Sequence, residues 1–143
     1  MTSRATVFIV DDDLSVRRSL SRLVIAAGYD VRVFASAQAV LAETDWPHPC
    51  CLIVDVSMPG MTGLDLLDAL RSLRRTVPVI LSSGYGDSAT LARARQADVL
   101  AFLAKPFRAS TLLPLLEQAL GRRAHADDEP GALPSHQRLI RGF

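Results

Sequence analysis

The stretch Leu52-Ile53-Val54-Asp55-Val56-Ser57-Met58-Pro59-Gly60-Met61-Thr62-Gly63 decides the fold. Aliphatic residues run without interruption into a lone carboxylate. The chain then turns at Pro59-Gly60 and reopens as an amphipathic segment after Gly63. A short apolar run bounded by turn residues reads as a strand buried on both faces, the kind found in parallel sheets. Asp55 then stands at the C-terminal end of that strand. Open parallel sheets bind ligands in the crevice outside those ends, so a carboxylate is placed where chemistry is usually done.

Outward from this stretch the same unit recurs. Val7-Phe8-Ile9-Val10 is an apolar strand that stops at Asp11-Asp12-Asp13, and Val16, Leu20, Leu23, Val24 and Ala27 follow at helical spacing, with Gly28 as the stop. Val31-Arg32-Val33-Phe34 is a short strand nearer an edge, and Ser36 caps a helix carrying Val40 and Leu41. Asp45-Trp46-Pro47-His48-Pro49 is a loop, since two prolines forbid a regular ladder. Cys50 to Val54 is the third strand. Leu64, Leu67 and Leu70 mark the third helix, with Arg74-Arg75 at its C-terminus.

Val77 to Leu81 reads as the fourth strand and Ser82 to Gly86 as a loop. Asp87 or Ser88 caps a fourth helix whose apolar stripe is poor, so it is expected to be loosely held. Val99 to Ala104 is the fifth strand, ending at Lys105-Pro106-Phe107. The fifth helix carries Leu112, Leu115, Leu116 and Leu120, with Pro114 about one turn in, where it removes one hydrogen bond. Five alternations of strand and helix predict an α/β domain, a parallel sheet with helices on both faces, over residues 1–121. Residues 122–143, with Arg122-Arg123 and then Asp127-Asp128-Glu129-Pro130-Gly131, break the pattern and read as a mobile tail or linker.

The 143 residues are 49% hydrophobic, enough for one domain with a real core, and the net charge of +1 gives no electrostatic case for nucleic acid or an anionic membrane. The apolar run after Met1 is too short for a signal segment and none is long enough to span a bilayer, so the cytoplasm is the expected location. Cys50 and Cys51 are adjacent, lack the Cys-x-x-Cys spacing of a redox pair, and are expected to be buried free thiols.

If the strands follow the doubly wound order 2-1-3-4-5, strands one and three are neighbours and bring Asp11 and Asp12 to Asp55. Carboxylates crowded in one crevice repel, so they need protonation or a cation. An oxygen-only set with room for water suits Mg²⁺ or Mn²⁺. Asp13 is as well explained as a helix cap. Ser82 or Ser83 at the end of strand four offers a hydroxyl, and Lys105 at the end of strand five offers a point charge suited to phosphate. Phosphoryl transfer needs little beyond positioning and charge neutralisation.

Taken in this order and spacing, the segments Phe8-Ile9-Val10-Asp11-Asp12-Asp13, Leu52-Ile53-Val54-Asp55, Met58-Pro59-Gly60-Met61-Thr62-Gly63, Ser83-Gly84-Tyr85-Gly86 and Lys105-Pro106-Phe107 resemble the receiver domain of two-component response regulators, the FixJ-like subgroup in particular. The resemblance covers Val7 to about Leu120. It implies the flavodoxin-like (βα)5 sheet of order 2-1-3-4-5, with Asp55 as phosphoacceptor. It implies Mg²⁺ held by Asp11, Asp12, Asp55 and the backbone carbonyl of Ser57. It makes Ser83 the switch hydroxyl, Lys105 the phosphate-binding lysine, aimed by a cis bond to Pro106, and Phe102 the switch aromatic. Ser57 and Tyr85 flank the site and influence loss of the phosphoryl group.

The implied donor is a sensor histidine kinase or a phosphotransfer protein. The implied output is a protein target or a second copy, bound through the fourth helix and fifth strand. Asp98 stands where the family usually has glycine, and left-handed geometry at this aspartate would preserve the turn. The family often carries a DNA-binding domain after the receiver, and residues 121–143 are too few to build one, so no direct nucleic-acid contact is expected from this chain. Two other readings stay open. A Mg²⁺-dependent aspartyl-nucleophile phosphatase would lack its general acid, since Ser57 stands there. A pseudo-receiver that never takes phosphate would not need the intact acid pair and lysine. On the leading reading the chain is not a turnover enzyme and catalyses only its own phosphotransfer and hydrolysis.

Overall fold

The computed structural model describes residues 4–84 and 88–121. The tail 122–143, Tyr85 and the cap expected from Asp87 lie outside the described residues, as does the side chain of Ser88. The elements alternate along the chain: β1 (Thr6–Val10), α1 (Leu14–Ala26), β2 (Asp30–Phe34), α2 (Ala37–Leu41), β3 (Cys50–Asp55), α3 (Gly63–Ser72), β4 (Val79–Ser83), α4 (Ser88–Gln96), β5 (Ala101–Ala104) and α5 (Ala109–Leu120). All strand pairs are parallel and the sheet order is β2-β1-β3-β4-β5. Among the described residues, no helix is long and apolar enough to cross a membrane.

Side-chain alternation along the strands divides the core in two. Phe8, Val10, Leu52, Val54, Leu81 and Phe102 face α2, α3 and α4. Val7, Ile9, Ile53, Ile80 and Leu103 face α1 and α5. Burial on both faces explains the apolar runs Val7–Val10 of β1 and Cys50–Val54 of β3, whereas the edge strand β2 is partly exposed. Pro114 lies inside α5 on its exposed side, and the carbonyl it leaves without an amide belongs to exposed Ser110. Solvent can satisfy that carbonyl, which is why the helix tolerates the proline there.

The caps follow side-chain chemistry. The Asp13 carboxylate accepts from the amides of Ser15 and Val16 at the start of α1, at 2.8 and 3.4 Å. Ser36 caps α2 through the Ala39 amide. Thr62 and Asp65 form a reciprocal capping box at α3. At the other end of α1, Gly28 (φ 103°) sends its amide to Ile25 while Tyr29 reaches back to Val24. This double bond pattern is a Schellman stop.

The end of α3 repeats it with an arginine. The Arg74 amide donates to Arg71 at 3.0 Å, the Arg75 amide to Leu70 at 2.9 Å, and Arg74 takes the left-handed φ of 59°. The basic pair therefore lies past the helix, not in its last turn. Asp98 is not left-handed, contrary to expectation: among the described non-glycine residues, only Arg74 has a positive φ. The Asp98 turn is held instead by Arg71 Nη2, which donates to the Asp98 carbonyl at 3.0 Å.

Two strand boundaries also shift. β4 starts at Val79, after a proline that has no amide to give, and runs on through Ser82 and Ser83. Bonds from the Val56 amide to the Ser82 carbonyl and from the Lys105 amide to the Ser83 carbonyl, both 2.8 Å, hold those serines in the sheet. β5 starts only at Ala101, because Val99 is still in a tight turn onto the Ala97 carbonyl.

Candidate functional site

The strand ends build the site. Because β1 and β3 are neighbours, Asp11 follows Val10 next to Asp55, the last residue of β3. Asp55 is in register with Ser82 of β4, and Ser83 with Ala104, the residue before Lys105. The cleft above these ends is lined by Asp11, Asp12, Asp13, Val16, Asp55, Ser57, Gly84, Lys105 and Pro106. The Lys105–Pro106 bond is cis, as is His48–Pro49.

Asp11 and Asp55 are buried, at 2% and 5% exposure, while Asp12 is exposed. One carboxylate oxygen from each of the three lies within 4.8 Å of the others. Ligands on opposite sides of a Mg²⁺ ion stand about 4.2 Å apart, twice its ~2.1 Å bond length. The three carboxylates are thus close enough to serve as ligands of one ion, and the open cleft leaves room for the waters such an ion retains. The all-oxygen donor set therefore fits Mg²⁺ or Mn²⁺.

Lys105 supplies the countercharge. Its Nζ donates to Asp11 Oδ2 at 2.8 Å and stands 3.6 Å from Asp55 Oδ1. Burial alone would pull the Lys105 pKa down, but the hydrogen bond to Asp11 and the charge of Asp55 outweigh it and raise the pKa above its ordinary value. Burial, then the charge of Asp11, pushes the Asp55 carboxyl up to about 6, against the pull of Lys105 and of the Ser57 amide. That amide donates to Asp55 Oδ1 at 3.3 Å. Asp55 is thus a buried acid whose ionised form needs help from nearby cations.

The other expected residues fall in different places. Ser57 is exposed on the cleft wall. Ser83 is at the end of β4 but only 3% exposed, and its side chain does not line the cleft. Phe102 is buried in the core on the α4 side, its ring 6.0 Å from the Arg95 guanidinium. Tyr85 lies outside the described residues. Asp13 caps α1, as one of its two sequence readings held. Cys50 and Cys51 are buried free thiols on β3. Burial pushes Cys50 up to about 11 and Cys51 further.

Two supporting residues escaped the sequence. Gly63 opens α3 directly under Asp55: a Cβ there would meet the Asp55 carbonyl oxygen at 2.6 Å. Arg17 Nη1 donates to the Asp11 carbonyl at 2.8 Å. The glycine belongs to the Met58–Gly63 segment quoted from the sequence, but nothing there signalled its contact with Asp55. The arginine carried no signal beyond a cation one turn into a helix that starts among acids.

Residues 7–117 match the model of the response regulator receiver domain. The chain is 39% identical over 121 residues to Nodulation protein W of Bradyrhizobium diazoefficiens, covering 85% of this chain and 53% of that protein. It is 40% identical over 121 residues to the response regulator protein TodT of Pseudomonas putida, covering 84% and 53%. Its fold superposes on the crystal structure titled FIXJ-N with a TM-score of 0.73 at 34% identity, covering 83% of this chain and 94% of that one. A doubly wound sheet with acids at two adjacent strand ends and a lysine at a third defines a class of signalling domain. The chain belongs to the response regulator receiver domain family of two-component systems. It spans about half the length of the curated relatives it matches.

Proposed function

We propose that Asp55 accepts a phosphoryl group from a histidine kinase or phosphotransfer protein, in a reaction that depends on Mg²⁺. The observation that carries this reading is the placement of Lys105 Nζ between Asp11 and Asp55, with the Asp12 carboxylate on the same cleft. An Asp55 oxygen attacks phosphorus, the bond from phosphorus to the donor breaks, and the donor's leaving atom keeps the electron pair. A Mg²⁺ ion held by Asp11, Asp12, Asp55 and the Ser57 carbonyl would neutralise charge on the transferring group. Lys105 then turns from the carboxylates to the phosphoryl oxygens. The Ser83 hydroxyl, one strand over, meets the same group by a rotation of its side chain.

The readout is the face formed by α4 and β5. Of the described side chains of α4, only Ala94 is buried, so few contacts hold the helix and a modest free energy repositions it. Phe102 follows Ser83, and the face takes a protein target or a second copy. Ser57, small and exposed, admits the water that hydrolyses the acyl phosphate, with Tyr85 as the second flanking residue. Residues 1–121 form the receiver and 122–143 a tail or linker.

The test is incubation with Mg²⁺ and acetyl phosphate, read on a phosphate-affinity gel. The wild-type chain shifts, it fails to shift in excess EDTA, and Asp55→Asn does not shift at all. A shift that persists in Asp55→Asn would remove Asp55 from its role.

A further inference from the structure

Asp11 is held at four points. Its amide donates to the Phe34 carbonyl at 3.1 Å, and its Oδ1 accepts from the Asp13 amide at 2.9 Å. Its Oδ2 accepts from Lys105 Nζ, and its carbonyl accepts from Arg17 Nη1, both at 2.8 Å. The first three contacts come from the sheet, the capping turn and the lysine. The fourth comes from the guanidinium of half-buried Arg17, reaching back from α1 to the residue that follows β1. Arg17 is seated for this by its own amide, which donates to the carbonyl of the N-cap Asp13 at 3.0 Å.

The peptide unit joining Asp11 to Asp12 is planar and stiff. Fixing the direction of the Asp11 carbonyl therefore fixes where the Asp12 backbone leaves, and with it the base from which the exposed Asp12 carboxylate projects. A hydrogen bond from a charged donor is stronger than one between neutral groups, and a guanidinium fork holds direction as well as distance.

We propose that Arg17 is a positioning residue of the acidic cleft: by clamping the Asp11 carbonyl it aims the Asp11–Asp12 pair at the place where a divalent cation is held. This rests on the cation reading given above. Charge and positioning here predict opposite signs. Removing a positive charge near a cation site strengthens cation binding by Coulomb's law. Losing an orienting hydrogen bond behind a ligand weakens it, typically by tenfold or more.

The experiment is calorimetric titration of Mg²⁺ into the full chain as wild type, Arg17→Gln, Arg17→Lys and Asp12→Asn, with the melting temperature of each in EDTA. Arg17→Gln binds Mg²⁺ roughly tenfold more weakly. Arg17→Lys, which keeps a charged donor, recovers part of that loss. Binding by Arg17→Gln as tight as wild type, or tighter, overturns the proposal, whatever happens to the melting temperature. If Arg17→Gln does not fold, Arg17→Lys decides: weaker binding supports the clamp and unchanged binding overturns it. A wild type that takes up no Mg²⁺, or an Asp12→Asn that binds as wild type does, overturns the cation reading and the Arg17 assignment together. Unchanged binding confined to the Arg17 variants overturns the assignment alone.

Discussion

Gly63 and the carbonyl of Asp55 are packed so closely that a methyl group on the glycine would stand 2.6 Å from the oxygen. The Gly63 amide also donates to the Val56 carbonyl at 3.0 Å, so α3 starts directly against the backbone that carries the phosphoacceptor candidate. Gly63→Ala must push the helix off that strand end, and the expected cost is about 2–3 kcal/mol from overpacking. Urea denaturation measures it. Gly84→Ala is the control, since a Cβ there meets the Lys105 Cδ at an ordinary 3.7 Å.

The raised pKa of Asp55 sets the sign of a pH effect. Its ordinary value is 3.8 and its folded value about 6. Below about pH 4 both the folded and unfolded states hold the proton and Asp55 contributes nothing. Between about pH 4 and 6 only the folded state holds it, so wild-type stability falls relative to Asp55→Asn as pH rises. Above that window the penalty is complete and amounts to at most about 3 kcal/mol. Asp55→Asn is therefore more stable than wild type in EDTA at pH 7, and the difference vanishes near pH 4. Denaturation of both proteins across that range is the measurement, and a constant difference would contradict the buried-acid account.

Arg74 occupies a stop that favours glycine. The left-handed conformation costs a side-chain-bearing residue roughly 1–2 kcal/mol, part of which a glycine returns through its freer unfolded state. Arg74→Gly is expected to raise stability by about 0.5–1 kcal/mol. Gly28→Ala at the equivalent stop of α1 lowers it by a similar amount. Thermal melts of the two variants should move in opposite directions.

The two cysteines are predicted to be silent. With both thiols buried and their pKa values raised by that burial, neither supplies thiolate at pH 8. A disulfide reagent should label neither in the native protein and both in urea. Rapid labelling of either one in native buffer would show that the β3 face opens.

The centre of the sheet was readable because Val7–Val10 and Leu52–Val54 are short apolar runs bounded by turn residues, as strands buried on both faces are. The acid cluster followed once the strand order 2-1-3-4-5 was taken from the doubly wound pattern and the receiver resemblance, since Asp11 and Asp55 then share neighbouring strand ends. What stayed hidden depends on contacts distant in sequence. The serines after Leu81 made β4 look two residues earlier than it is, and only pairing with β3 and the chain at Lys105 shows them in the sheet. The loop at Trp46 was expected from its prolines, but not its role. The indole packs on Phe8 at 4.9 Å between ring centroids and lies under the Arg75 guanidinium, 4.4 Å away. The arginine stop at Arg74 was missed because the usual mark of that turn is a glycine.

The ammonium between Asp11 and Asp55 makes the cleft a seat that is already taken. On the proposed reading, a divalent ion held by the same carboxylates would compete with that ammonium for them. The freed side chain, tethered at its own backbone, would stay at the doorway as a hand for an incoming anion. Metal and phosphoryl group would then both draw on the mobility of one lysine.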